Sequence, residues 1–164
     1  MKLHAVVIAI AALAVSAPVF PHGDQSTASK RIDYSKAEAQ PFGIAADPRK
    51  ASRTITVDMN DTMRFTPSEL KVRQGDTVRF VAHNKGKVLH EMVLGTLADL
   101  KAHADLMKKN PGMEHDEPHM AHVAAGKTGE IGWKFTQAGE FYYGCLVPGH
   151  FEAGMMGKII VAAR

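Results

Sequence analysis

From Arg53 onward the chain alternates apolar and polar residues in short runs. Ile55, Val57 and Met59 alternate with threonine and aspartate. Val78, Phe80 and Ala82 share one face of the next run, with Arg79 and His83 on the other. Ile131, Trp133 and Phe135 alternate with Gly132 and Lys134, and Phe141, Tyr143 and Cys145 alternate with Tyr142 and Gly144. A period of two places successive side chains on opposite faces, as in half-buried strands. Gly75-Asp76 marks a turn, and Gly157-Lys158-Ile159-Ile160-Val161 reads as a final strand. Many short strands between turn signals predict an all-β, antiparallel β-sandwich.

One stretch keeps a different period. Leu97, Leu100, Ala104 and Met107 recur at helical spacing, Thr96 offers an N-cap, and Asn110-Pro111-Gly112 ends the pattern. This predicts one inserted helix near residues 97–109, followed by a loop from Gly112 to Ala125. Residues 17–52 are polar, carry no sustained periodicity, and read as an N-terminal extension lying on the surface of a domain at 53–164. Ahead of them, Lys2 precedes an apolar run over residues 5–15, and Ala14-Val15-Ser16 supplies small residues for cleavage. Residues 1–16 are therefore expected to be a secretory signal peptide, cut after Ser16, with no membrane span left after processing.

Export changes the meaning of the cysteine count. The chain has one cysteine, Cys145, and a lone thiol in an oxidising compartment cannot form an internal disulfide. It opens the run Cys145-Leu146-Val147-Pro148-Gly149-His150-Phe151-Glu152-Ala153-Gly154-Met155. A thiolate, an imidazole and a thioether at five-residue intervals are three of the four donors of a blue-copper site. Such a set suits both oxidation states of copper. A structural zinc would take Cys and His but would not call for Met155.

The fourth donor must be a second histidine, and His83 and His90 are the candidates. His83 shares a strand face with Arg79, away from the core. In Val88-Leu89-His90-Glu91-Met92-Val93-Leu94, alternation puts His90 beside Met92 and Leu94 on an apolar face. An imidazole there needs a partner, which a metal supplies, so His90 is the expected ligand. Met155 and Met156 compete for the axial place. Met155 falls on the face of Ile159 and Val161, and Met156 on that of Lys158, which favours Met155.

These residues resemble a known family. Asn84-x-Gly86-x-x-x-His90-Glu91, then Cys145, His150 and Met155-x-Gly157-Lys158, is similar to the copper motifs of the cupredoxins, the plastocyanin/azurin superfamily. The copper loop looks especially like that of rusticyanin, and residues 53–164 resemble the periplasmic cupredoxins of proteobacteria linked to copper tolerance. The resemblance implies a Greek-key β-sandwich holding one type 1 copper ion, Cu(I)/Cu(II), on His90, Cys145, His150 and Met155. It also implies single-electron transfer with redox partner proteins, or binding, buffering and oxidation of periplasmic copper ions. The exposed edge of His150, with Pro148, Gly149 and Phe151 around it, is the electron port this implies. One departure is Glu91, where many cupredoxins carry Asn or Ser to tie two ligand loops together.

Other classes fit poorly. Multicopper oxidases place histidines beside the copper cysteine, whereas Gly144 and Leu146 flank Cys145. A binuclear centre needs a second cysteine. The chain is therefore expected to be an electron-transfer or copper-binding protein and not an enzyme, and to be monomeric. The charge balance is mild despite a pI near 9.0. Removing Lys2 with the leader leaves 19 basic against 17 acidic residues, and no basic stripe with interleaved aromatics points to nucleic acid. Finally, His103, Met107, Met113, His115, His119, Met120 and His122 crowd into twenty residues. Thioethers and imidazoles together suit an auxiliary copper site, whereas the acidic residues among them suit a solvated loop.

Overall fold

The computed structural model describes residues 32–111, 113 and 115–164. The expected signal peptide, and the extension as far as residue 31, lie outside them. Eleven strands, β1 to β11, run in chain order: Ala39–Gln40, Gly43–Ala45, Arg53–Asn60, Arg64–Thr66, Glu69–Arg73, Thr77–Asn84, His90–Gly95, Met120–Val123, Thr128–Lys134, Gly139–Gly144 and Met156–Ala162. They form a six-stranded sheet in the order β1-β2-β9-β6-β3-β4 and a five-stranded sheet in the order β5-β11-β10-β7-β8. The alternation read from the sequence is the alternation of burial. In β6 every second residue, from Val78 to Asn84, is buried, and in β11 Gly157, Ile159 and Val161 are. These inward residues make the shared core, with Val57, Met59, Phe80 and Trp133 near zero exposure. Two pairs, β3 with β6 and β5 with β11, run parallel, because the chain crosses between sheets before each pair is completed.

The helix α1, Leu97–Lys109, forms where expected. Thr96 and Asp99 make a reciprocal capping box that satisfies orphan amides of the first turn. Leu100 and Ala104 pack with Val93, Met120 and Leu146 in a second apolar cluster. That cluster explains why β7 is buried at every position. Its His90, Met92 and Leu94 face the core between the sheets, while Val93 lies under the helix.

Two segments differ from the sequence reading. The region from Gly112 to Ala125, expected as a loop, contains β8, which pairs antiparallel with β7. Met120, Ala121 and Val123 are buried and His122 points outward, so a four-residue strand was hidden among histidines and acids. Within the expected surface extension, β1 and β2 form an edge of the six-stranded sheet, β2 pairing with β9. Phe42 anchors them. It is 3% exposed, stacks on Trp133 at 4.9 Å between centroids, and its carbonyl accepts a 2.9 Å hydrogen bond from Trp133 Nε1. Burying one such ring contributes about 1.5–3 kcal/mol, enough to fix a short polar segment that shows no periodicity.

Candidate metal centre

The candidate donors come from two places in the fold. His90 is the first residue of β7, and Cys145 follows the last residue of β10. Both are fully buried. His150 lies on the loop between β10 and β11 and is half-buried. Cys145 Sγ is 3.2 Å from His150 Nδ1 and 4.0 Å from His90 Nδ1. One donor atom from each residue lies within 4.8 Å of the others, and no other such trio of His, Cys, Asp or Glu occurs among the described residues.

The loop holds these positions by its own backbone. The Cys145 N–H donates to Met155 O at 3.1 Å, the Met155 N–H to His150 O at 3.0 Å, and the His150 N–H to Val147 O at 2.9 Å. Gly149, at φ 89°, takes a left-handed turn that suits glycine. Met155 is fully buried and Met156 half-buried, as strand alternation required. His83 lies on the outer face beside Asp58, 3.4 Å from its carboxylate, away from the trio.

Electrostatics around the sulfur fit a bound cation. Burial pushes the Cys145 thiol up to about 12, so a nearby cation is needed to keep it as thiolate at neutral pH. The Glu91 N–H donates to Cys145 Sγ at 3.3 Å. That contact comes from backbone, so the departure from Asn or Ser at Glu91 does not remove it. Burial also lowers His150, with His90 adding to the effect. A neutral imidazole is the form that ligates.

Sequence reasoning missed Asp61. His90 Nε2 lies 3.1 Å from Asp61 Oδ1, so the carboxylate accepts the Nε2 proton and leaves the Nδ1 lone pair facing Cys145. Asp61 is itself held by the Lys87 N–H, at 2.8 Å from Oδ2, which together with His90 keeps its carboxyl below the ordinary range. It sits in the turn between β3 and β4, twenty-nine residues before His90. The parallel pairing of β3 with β6 brings that turn beside the β6–β7 loop. Asn84 closes the same loop, its Nδ2 donating to Val88 O and Val123 O and its Oδ1 accepting from the Gly86 N–H. A Cβ at Gly86 would collide with the Asp61 carboxylate, which accounts for glycine in Asn84-x-Gly86. Asp61→Ala should free the His90 ring and weaken copper binding roughly 10–100-fold. Competition with a chelator of known affinity measures this; an unchanged affinity would mean that Asp61 does not orient His90.

The comparisons agree with this geometry. The family model described as copper binding proteins, plastocyanin/azurin family, matches residues 51–162. The copper-resistant cuproprotein CopI of Rubrivivax gelatinosus is 57% identical over 121 residues, covering 74% of this chain and 73% of that protein. CopI of Pseudomonas aeruginosa is 35% identical, covering 77% and 86%. In fold, the chain is similar to auracyanin B with a TM-score of 0.60, at 23% identity over 76% of this chain and 96% of that one. A soft thiolate between two imidazoles, on a cupredoxin sandwich, fits one type 1 copper ion as cofactor. The chain thus belongs to the plastocyanin/azurin family of copper-binding proteins.

Proposed function

We propose that this protein works in the periplasm as a type 1 copper protein serving copper tolerance, with His90, Cys145, His150 and Met155 as the ligands. The observation that carries the reading is the convergence of His90, Cys145 and His150 within 4.8 Å at the end of a buried sandwich. The names of the two CopI relatives support the tolerance role.

Copper bound there supplies one-electron chemistry between Cu(I) and Cu(II). The chain's part is to hold the donors still. His90 is oriented by Asp61, Cys145 receives the Glu91 amide, and Met155 is tied to His150 and Cys145 through the backbone. His90 and Cys145 are sealed from water, whereas His150 keeps an exposed edge. Electrons would cross at that edge, next to the exposed Pro148 and Gly149. The role is binding and electron passage, not catalysis on a substrate.

A second reading, a carrier in a fixed electron-transfer chain, draws on the same His150 edge. Two measurements decide. Cu(II) added to the purified protein should give an intense visible thiolate-to-copper band, and its absence would overturn the copper assignment. Deleting the gene should reduce growth on copper, restored by the wild-type gene. Unchanged growth alongside an intact band would sink the tolerance role and leave the carrier.

A further inference from the structure

The structure sorts the crowd of methionines and histidines on and after α1. Met107 and Met120 are core residues, 7% and 9% exposed. Three of the four histidines gather instead, whereas His119 packs against Phe42 and Trp133. His103, on α1, and His115, on the following loop, bring their Nε2 atoms to 2.8 Å, with ring centroids 4.7 Å apart. Both are half-buried.

His122 braces this pair. Its Nδ1 is 2.9 Å from Glu91 Oε1 and its Nε2 is 2.9 Å from His115 O. Carboxylate and carbonyl are both acceptors, so both ring nitrogens of His122 donate, and the carboxylate raises its pKa to about 9. The second contact fixes the backbone of His115. The His115 ring has no other polar contact, since its Nδ1 is buried without a hydrogen-bond partner among the described residues.

The 2.8 Å between the Nε2 atoms fits a hydrogen bond shared by two neutral imidazoles, and it fits a shared metal ion as well. Two nitrogens each about 2.0 Å from one ion stand about 2.8 Å apart when they are cis in a tetragonal site, and about 3.3 Å apart in a tetrahedral one. The observed 2.8 Å matches the cis arrangement, and a tetragonal site of nitrogen and oxygen donors is the preference of Cu(II). Burial and the neighbouring His115 lower the pKa of His103, which keeps it in the ligating neutral form, while the carboxylates of Glu91 and Glu117 lie close enough to act on it.

We propose that His103 and His115 form a second copper site, for Cu(II), separate from the Cys145 centre and braced by the Glu91–His122 pair. It takes no thiolate and no thioether, so it differs from the blue centre in chemistry as well as in place. The proposal does not depend on the role assigned to Cys145.

The test is a Cu(II) titration of the full chain, followed by visible absorption and by electron paramagnetic resonance. The His103→Gln/His115→Gln double variant should bind one equivalent fewer than wild type, with its thiolate band unchanged. The equivalent lost should carry no intense visible band and should show coupling to two nitrogens. Equal stoichiometry in the two proteins would overturn the proposal. The retained thiolate band shows that the double variant is folded. Should that band be lost, the wild-type resonance spectrum decides, and the lack of any signal beyond the type 1 copper would overturn the site.

Discussion

Cys145→Ser is expected to abolish the visible charge-transfer band altogether while leaving the fold in place. Serine keeps the volume of the side chain to within one atom. It also retains an acceptor for the Glu91 N–H, which approaches the sulfur at 3.3 Å. What it removes is the only sulfur that can become a thiolate, and with it the soft in-plane donor that separates a type 1 site from an ordinary imidazole site. Copper affinity at this centre should fall by several orders of magnitude, whereas thermal unfolding of the metal-free protein should shift by only a few degrees. A variant that kept the band would exclude Cys145 as its source. In cells, the same substitution separates two roles. If tolerance needs the redox-active centre, the variant gene will not restore growth on copper. Restoration would mean that the His103–His115 pair, or another part of the chain, does the protecting.

The largest expected effect on stability lies far from sulfur, at Trp133→Ala. Trp133 is 1% exposed and stacks on Phe42, to whose carbonyl its indole N–H donates. Truncation opens a cavity in the core, which for a buried tryptophan costs about 3–5 kcal/mol. It also releases the stacked aromatic contact that helps hold β1 and β2 against β9. Apparent melting temperature should drop by roughly 10–20 °C. Amide protection of Ile44 and Ala45 should be lost before that of β6. A drop of only a degree or two would show that the N-terminal strands hold by other contacts. Phe42→Ala should reproduce the loss of edge protection with a smaller fall in stability, because Trp133 would keep its packing against the rest of the core.

These two sites also mark how far the sequence could be read. Strand alternation identified the inward faces, and burial follows it: His90 and Met155 are buried, whereas His83 and Met156 are half-buried. The helix was legible because Thr96 caps it at a point where the apolar period changes. The candidate loop was legible because a cysteine, a histidine and a methionine lie within eleven residues. Asp61 was not, since its role depends on the side-by-side alignment of β3 and β6, and pairing leaves no spacing in a sequence. β8 escaped because a strand with two outer neighbours of its own, Glu91 and the helix, can expose a histidine and still be held. β1 and β2 escaped because a strand of two or three residues has no period to detect, and their attachment rests on Phe42, the buried Ala45 and backbone pairing with β9.

The position of β11 in its sheet has a consequence for the order of assembly. It lies between β5 and β10, pairing parallel with the first and antiparallel with the second. Its partner β5 precedes it by almost ninety residues, with Glu69 opposite Lys158. Contacts this remote in sequence form late and slowly. A chain emerging from its N-terminus can pair β3 with β6 and β7 with β8 while β10 still lacks a neighbour on one side. Only the arrival of β11 closes the five-stranded sheet, and the same event pulls Met155 and the loop before it into place. On the proposed ligand set, a chain that has not yet emerged as far as β11 presents the Cys145 thiol without Met155 beside it.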